Sequence, residues 1–281
     1  MAKVQQRTKY QEHQDPARTL LVLFHGLEGS SASHYARDLA AFAAGRGFDF
    51  VVPHFRGCSG EPNWTARAYH SGDFQEVAWI LARLRSQHGG RMLAVGVSLG
   101  GNALLRWAEE MGTQASQVVQ ALAAVSAPVD LSASGQSIDA GLNQLFYTRR
   151  FLDTMKPKAL AKLERFPGLF DRQALERART LFEFDDAFTA PVHGFDGAWD
   201  YWKRASAKPL LHQIRLPTLL LNEFAAGRRG GRLRNPVATG AGRACGICAG
   251  PGGWTLLDGT SGGPLAGPTR RSEWMTSSSK L

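Results

Sequence analysis

Ser98 lies in the run Gly96-Val97-Ser98-Leu99-Gly100, and a hydroxyl centred between two glycines at this spacing is the pattern of a nucleophilic serine. Met92 to Val95 before it read as a buried strand, and the residues after it open a helix. So tight a strand-to-helix turn forces its central residue into a strained, left-handed backbone conformation. Glycine is needed at 96 and 100 because a Cβ there would collide with the neighbouring strand or helix. The turn lifts the Ser98 hydroxyl off the sheet at the positive end of the helix, where the Leu99 N–H can hold a developing oxyanion. The chemistry expected is attack on an acyl carbonyl. The plainer account is a glycine-rich turn of an ordinary α/β protein that does no chemistry.

The elements that must hold this turn alternate from Leu20 to Ser126. Leu20 to Phe24 is a continuous apolar run, as in parallel strands buried on both faces. A helix follows with Ser33 as N-cap, Tyr35, Leu39 and Phe42 at helical spacing, and Gly45 as its stop. Phe48 to Val52 reads as a strand. Asp73 with Glu76 resembles a capping box ahead of the stripe Phe74, Val77, Leu81 and Leu84. Leu104, Trp107 and Met111 form a helix stopped by Gly112, and Ala121 to Val125 is a further strand. The expectation is a mostly parallel sheet with helices on both faces. The core's first part is 20–127, behind a polar segment 1–19. Residues 128–212 change texture: helical stretches (Leu142 to Leu152, Gln173 to Phe182) follow one another and aromatics are dense, the pattern of a helical cap inserted over the sheet's carboxyl edge. Most of these aromatics read as core and a minority as pocket wall. Residues 213–222 return to the sheet.

From Glu223 onward the pattern breaks: 13 of the 31 glycines fall in the last 59 residues, and no helical periodicity survives. The tail 223–281 reads as unstructured, with order only near Trp254 to Leu257, or as the product of a shifted reading frame. A sheet ending at Asn222 would expose an edge.

The chain is 43% hydrophobic and 20% charged, with no apolar run near the roughly 20 residues of a membrane span. A cytoplasmic protein without stable membrane insertion is expected. The net charge is +9, but five of those charges lie after Asn222, and no basic stripe with interleaved aromatics precedes it, which argues against nucleic-acid binding. Cys58, Cys245 and Cys248 cannot build a disulfide framework, and Cys245-Gly-Ile-Cys248 lacks the two further ligands of a zinc site, so no metal and no cofactor are expected. The closing Ser279-Lys280-Leu281 matches a peroxisomal address, read as coincidence in so Arg- and Gly-rich a tail.

At His25-Gly-Leu-Glu-Gly-Ser-Ser31 the chain resembles the α/β-hydrolase superfamily, and within it the YheT-like family of serine esterases. The likeness continues through Phe55-Arg-Gly-Cys-Ser-Gly-Glu-Pro-Asn63, Tyr69-His-Ser-Gly72, Gly96-Val-Ser-Leu-Gly-Gly-Asn102, the segment Phe184 to Phe195, Asp200-Tyr-Trp202 and Leu216 to Asn222. It implies an α/β-hydrolase fold with a cap, lacking some terminal elements, since relatives carry strands before Leu20. It also implies Ser98 as nucleophile and an oxyanion hole of the Leu27 and Leu99 backbone N–H groups. His25 reads as an imidazole bracing its loop, and Arg56, Glu61 and His70 as loop braces too. The substrate implied is a carboxylic ester with a medium-chain or lipid-like acyl group, which the aromatic cap favours over a charged one.

The resemblance fails at the other two members of the triad, which in this fold follow the serine as acid, then histidine. The acid belongs in an Asn-x-x-x-Asp-Pro-like stretch after the strand ending at Asn222, where this chain has Glu223-Phe-Ala-Ala-Gly-Arg-Arg. The histidine belongs in a Gly-Gly-His-like turn, yet none follows His212. His193 and His212 lie on the wrong segments, and Asp258 has no partner histidine, so the acid and base stay unassigned. A serine without its base loses roughly 10⁴ to 10⁶ in rate. The alternative to an esterase is therefore an inactive hydrolase-fold remnant or a binder of small acyl ligands. Nucleotide binding at Gly96 to Gly101 fits neither phosphate-loop spacing.

Overall fold

A computed structural model describes residues 18–141, 144–224, 243–250 and 253–258. Its sheet has seven strands in the order β2-β1-β3-β4-β5-β6-β7: β1 Leu20–Phe24, β2 Asp49–Val51, β3 Met92–Val97, β4 Ala121–Val125, β5 Thr218–Phe224, β6 Arg243–Gly250 and β7 Gly253–Asp258. The first five run parallel, with Phe24 opposite Gly96 and Val97 opposite Val125. β1 is buried along its whole length, which is why it needs an unbroken apolar run. The chain leaves β1 for β2 on one side, and from β3 it continues to β4 on the other. The strand order therefore reverses between β1 and β3, where an open sheet leaves a crevice at its carboxyl ends.

Helix α1 (His34–Gly45) follows β1, α2 (Phe74–Gln87) precedes β3, and α3 (Leu99–Met111) leaves it. Helix α3 is the most enclosed: Ala103, Leu104, Leu105, Trp107 and Ala108 are all buried in the main core. Gly112 ends it at φ 51°. Asp73 caps α2 by accepting from the Glu76 N–H, but the Glu76 carboxylate turns to Arg56 (2.6 Å), so the box is half-formed. Ser33 precedes α1 as expected, yet its hydroxyl accepts from Ser30 N–H and makes no cap bond. Phe42, expected on the inner stripe, is 48% exposed beneath the Arg46 guanidinium.

Between β4 and β5 the described residues form helices and no strand. The principal ones are Leu131–Ile138, the long Arg149–Arg165 and Gly197–Ala205. Phe170, Leu175, Phe184 and Phe188 give this region a core of its own. The predicted stretch Leu142 to Leu152 is helical from Gln144, as a π-helical turn Gln144–Thr148 that leads into the long helix, which runs on through Pro157 to Arg165. The largest departure is β6, which lies in the segment expected to be unstructured, whereas β7 contains Trp254 to Leu257, where order was expected. β6 pairs antiparallel with β5 (Thr218 opposite Ala249) and covers the edge predicted to be open, and β7 pairs with β6. Cys245, Cys248 and Asp258 fall on these strands. The rest of the tail, including Ser279 to Leu281, lies outside the described residues.

Candidate active site

Ser98 adopts φ 52°, ψ −121°, a conformation that costs a residue with a Cβ about 1–3 kcal/mol. Its backbone is pinned: its N–H donates to Val125 O (2.8 Å), and its carbonyl accepts from Gly101 N–H (2.9 Å) and Asn102 N–H (3.2 Å). The glycine requirement is steric. A Cβ on Gly96 would come within 2.5 Å of Gly100 O and Gly101 Cα, and one on Gly100 within 2.4 Å of Phe24 O.

The loop after β1 lies against the same serine. A Cβ built on Gly26 would sit 3.2 Å from Ser98 Cβ. In that loop Gly26 N–H donates to the Tyr35 hydroxyl (3.0 Å), Glu28 N–H to the Tyr69 hydroxyl (3.0 Å) and Gly29 N–H to Gly26 O (2.9 Å). Glu28 itself is held at φ 55°. Among the described residues, neither Leu27 N–H nor Leu99 N–H donates to a protein acceptor. For Leu99 the reason is general, because the first amides of a helix have no intrahelical carbonyl.

His25 is a brace, as read from the sequence. Its Nδ1 donates to Gly26 O (2.8 Å), and its Nε2 accepts from Phe55 N–H (3.1 Å). Burial pushes this imidazole down to about 4, so it stays neutral and cannot leave its post to act as a base. Arg56 braces through Glu76, whereas Glu61 is exposed and its side chain braces nothing. His70 Nδ1 accepts from Gly72 N–H (3.2 Å), and its ring stands edge-on to His193, 4.5 Å between centroids.

Ser98, Leu27 and Leu99 open on one cavity of about 670 Å³, the size of a small-ligand site. Phe151, Phe184, Phe188, Tyr201 and Trp202 contribute its aromatic wall. Cys58 also reaches it, but burial pushes this thiol up to about 11, which removes it as a rival nucleophile. Among the described residues His70 is the one histidine on the wall. His193 sits behind it and His212 is exposed on the turn Lys208–Gln213. Asn222, within β5, fastens that strand to Ala127, with hydrogen bonds of 2.9 and 3.0 Å to its N–H and O, and the strand runs on to Phe224, past the end predicted at Asn222.

Four participants escaped the sequence reading. Asn102, fully buried one turn into α3, donates to Ser71 O (2.9 Å), Ser71 Oγ (3.2 Å) and Ala205 O (2.8 Å), and accepts from Ala207 N–H (3.1 Å). It ties the serine's helix to the end of the helix Gly197–Ala205. Asn102→Ala strands those groups in a dry interior and is expected to cost about 3 kcal/mol, read as a lower urea midpoint; a loss below about 1 kcal/mol would show the network to be replaceable. Lys162 and Arg165 line the cavity from the long cap helix together with Lys158. Their spacing of i, i+4 and i+7 was a legible signal for one helix face.

The family described as alpha/beta hydrolase fold matches residues 19–223. The chain is 42% identical over 205 residues to the Escherichia coli (strain K12) protein named "Putative esterase YheT", covering 72% of this chain and 59% of that one. It is 31% identical over 253 residues to the Saccharomyces cerevisiae "Medium-chain fatty acid ethyl ester synthase/esterase 2", covering 78% and 55%. The chain thus spans little more than half the length of these relatives. Among solved structures, the Paleococcus ferrophilus monoacylglycerol lipase aligns at a TM-score of 0.40 and 19% identity, covering 73% of this chain and 74% of that one. Family match, parallel sheet and serine turn agree, and the chain belongs to the alpha/beta hydrolase fold family.

Proposed function

We propose that this chain is a carboxylic-ester hydrolase that works through an acyl-enzyme on Ser98, on esters with a medium-chain or lipid-like acyl group. Ser98 Oγ attacks the acyl carbonyl and gives up its proton, the alcohol leaves protonated, and water then releases the acid and restores the hydroxyl. The observation that supports this reading is that Leu27 and Leu99, whose N–H groups have no protein acceptor among the described residues, line the same cavity as Ser98. The aromatic wall suits an alkyl chain, and both named relatives carry the word esterase.

A second reading, a scaffold that binds acyl ligands without turnover, is favoured by one fact: no histidine follows His212, so the usual source of the base is missing. Labelling with a fluorophosphonate separates the two. The native chain is expected to gain one phosphonyl group, lost in Ser98→Ala. Acyl-ligand binding without labelling would leave the scaffold reading in place. Translating the coding DNA beyond codon 222 in its other two frames supplies an independent check. An Asp-Pro stretch and a Gly-Gly-His stretch there would locate the missing acid and base, and their absence favours the scaffold.

A further inference from the structure

We propose that the end of the cavity formed by Lys162 and Arg165 binds an anionic oxygen group, a carboxylate or a phosphate, carried by the ester substrate. The word substrate rests on the ester-hydrolase reading; the anion site does not.

Four cations line the cavity, and two are neutralised by carboxylates. Lys158 Nζ lies 2.6 Å from Glu28, and Arg56 Nε lies 2.6 Å from Glu76. Lys162 and Arg165 have no carboxylate partner among the described residues. Lys162 is 9% exposed, and its ammonium donates to a single carbonyl, Thr65 O, at 2.6 Å. Arg165, at the exposed rim, lies over the Trp64 ring 4.0 Å from its centroid, a contact that leaves the guanidinium edge free for a ligand. The acidic groups of the same wall do not compensate. Glu61 is exposed and makes no ion pair, and Asp185 accepts from the Thr189 hydroxyl (2.6 Å) and Trp202 Nε1–H (2.8 Å).

An ammonium this enclosed, with no carboxylate beside it, is costly to keep charged unless something negative joins it. Burial, then Arg165 and Arg56, push Lys162 down to about 8, which leaves it mostly charged at neutral pH. A purely structural residue here is served as well by an apolar side chain of the same length. An anion meeting Lys162 and Arg165 removes the imbalance through charge-assisted hydrogen bonds, while the aromatic wall takes the alkyl chain.

The test uses the full chain as Ser98→Ala, which binds without turnover, titrated with octyl phosphate, octanoate, 1-octanol and inorganic phosphate by calorimetry. At least one octyl anion is expected to bind about tenfold or more tighter than octanol, and inorganic phosphate alone more weakly than octyl phosphate. Lys162→Met with Arg165→Gln should erase the anion preference while octanol binding stays, and Lys162→Met alone should leave Tm unchanged or raise it. Arg165→Gln alone, at the exposed rim, keeps the test open if the double variant misfolds, and it should cut the preference at least threefold. Equal binding of octanol and both anions overturns the proposal. So does a preference that survives the substitutions, or inorganic phosphate binding as tightly as octyl phosphate. Fluorophosphonate labelling reads the other claim separately: anion preference without labelling sinks the hydrolase reading alone, and labelling without preference sinks this one alone.

Discussion

Gly100→Ala is expected to destroy the native fold rather than weaken it. The added Cβ meets Phe24 O at 2.4 Å and His25 O at 2.5 Å, both backbone atoms, so no side chain can rotate away. Backing α3 off is equally blocked, because Gly101 N–H and Asn102 N–H are tied to Ser98 O, and Ser98 N–H to Val125 O. Overpacking a core usually costs about 1–3 kcal/mol. Here rigid backbone stands on both sides, and a loss above about 4 kcal/mol is expected, a large share of the roughly 5–15 kcal/mol that holds a domain together. Gly45→Ala is the matched control. Nothing lies within 4 Å of its Cβ, and it ends a helix without positive φ, so a small gain is expected. Soluble yield and urea midpoints of the two variants decide the matter. A folded Gly100→Ala within about 1 kcal/mol of the parent would mean that the β1–α3 approach is looser than these distances.

That steric requirement is also why the site was readable in the residues. The two glycines at 96 and 100, the apolar run of β1 and the half-formed cap at Asp73 are local consequences of close approach and periodicity, and local rules find them. Strand β7 was signalled by the apolar run Trp254 to Leu257, but β6 obeys no such rule. Arg243–Gly250 has half its residues as Gly and Ala, which are depleted in strands, and one β-branched residue, Ile247; it is a strand because β5 offers an unpaired edge. The cations of the cap helix were legible as spacing but not as a site. Charges at 158, 162 and 165 mark one helix face, and by default such a face is solvated. Only the tertiary arrangement turns it toward Ser98. Asn102 escaped for a similar reason: its four partners come from segments about 30 and 100 residues away.

Acidification from pH 6.5 to 4 is expected to cost this protein stability through His70 and His193. Burial pushes each imidazole down to about 3; the neighbouring Arg67 adds to this for His70, and His70 itself for His193. Folded, both rings stay neutral; unfolded, both take a proton near pH 6.5. The unfolded chain thus binds more protons throughout the interval. The stabilisation is complete above pH 6.5 and shrinks as the pH falls toward 3, by about 1.4 kcal/mol per pH unit for each ring that stays neutral. Asp185, pushed up to about 6 by burial, and Glu109, pushed up to about 8 by burial against the pull of Arg106, act in the opposite sense and flatten the total curve. A variant isolates the rings because those carboxyls are common to both proteins. His70→Asn keeps an acceptor for Gly72 N–H, and His193→Leu removes a ring whose buried Nε2 has no partner among the described residues. Urea unfolding at pH 7.5, 6.5, 5.5 and 4.5 should find the double variant less stable than the parent at pH 7.5, the gap closing and then reversing on the way down. Parallel curves would mean that the two imidazoles meet water in the folded protein. His70 lines the cavity, but its ring also packs against His193, Phe195 and Tyr201, with centroids 4.5 to 5.6 Å apart, which limits its contact with that water.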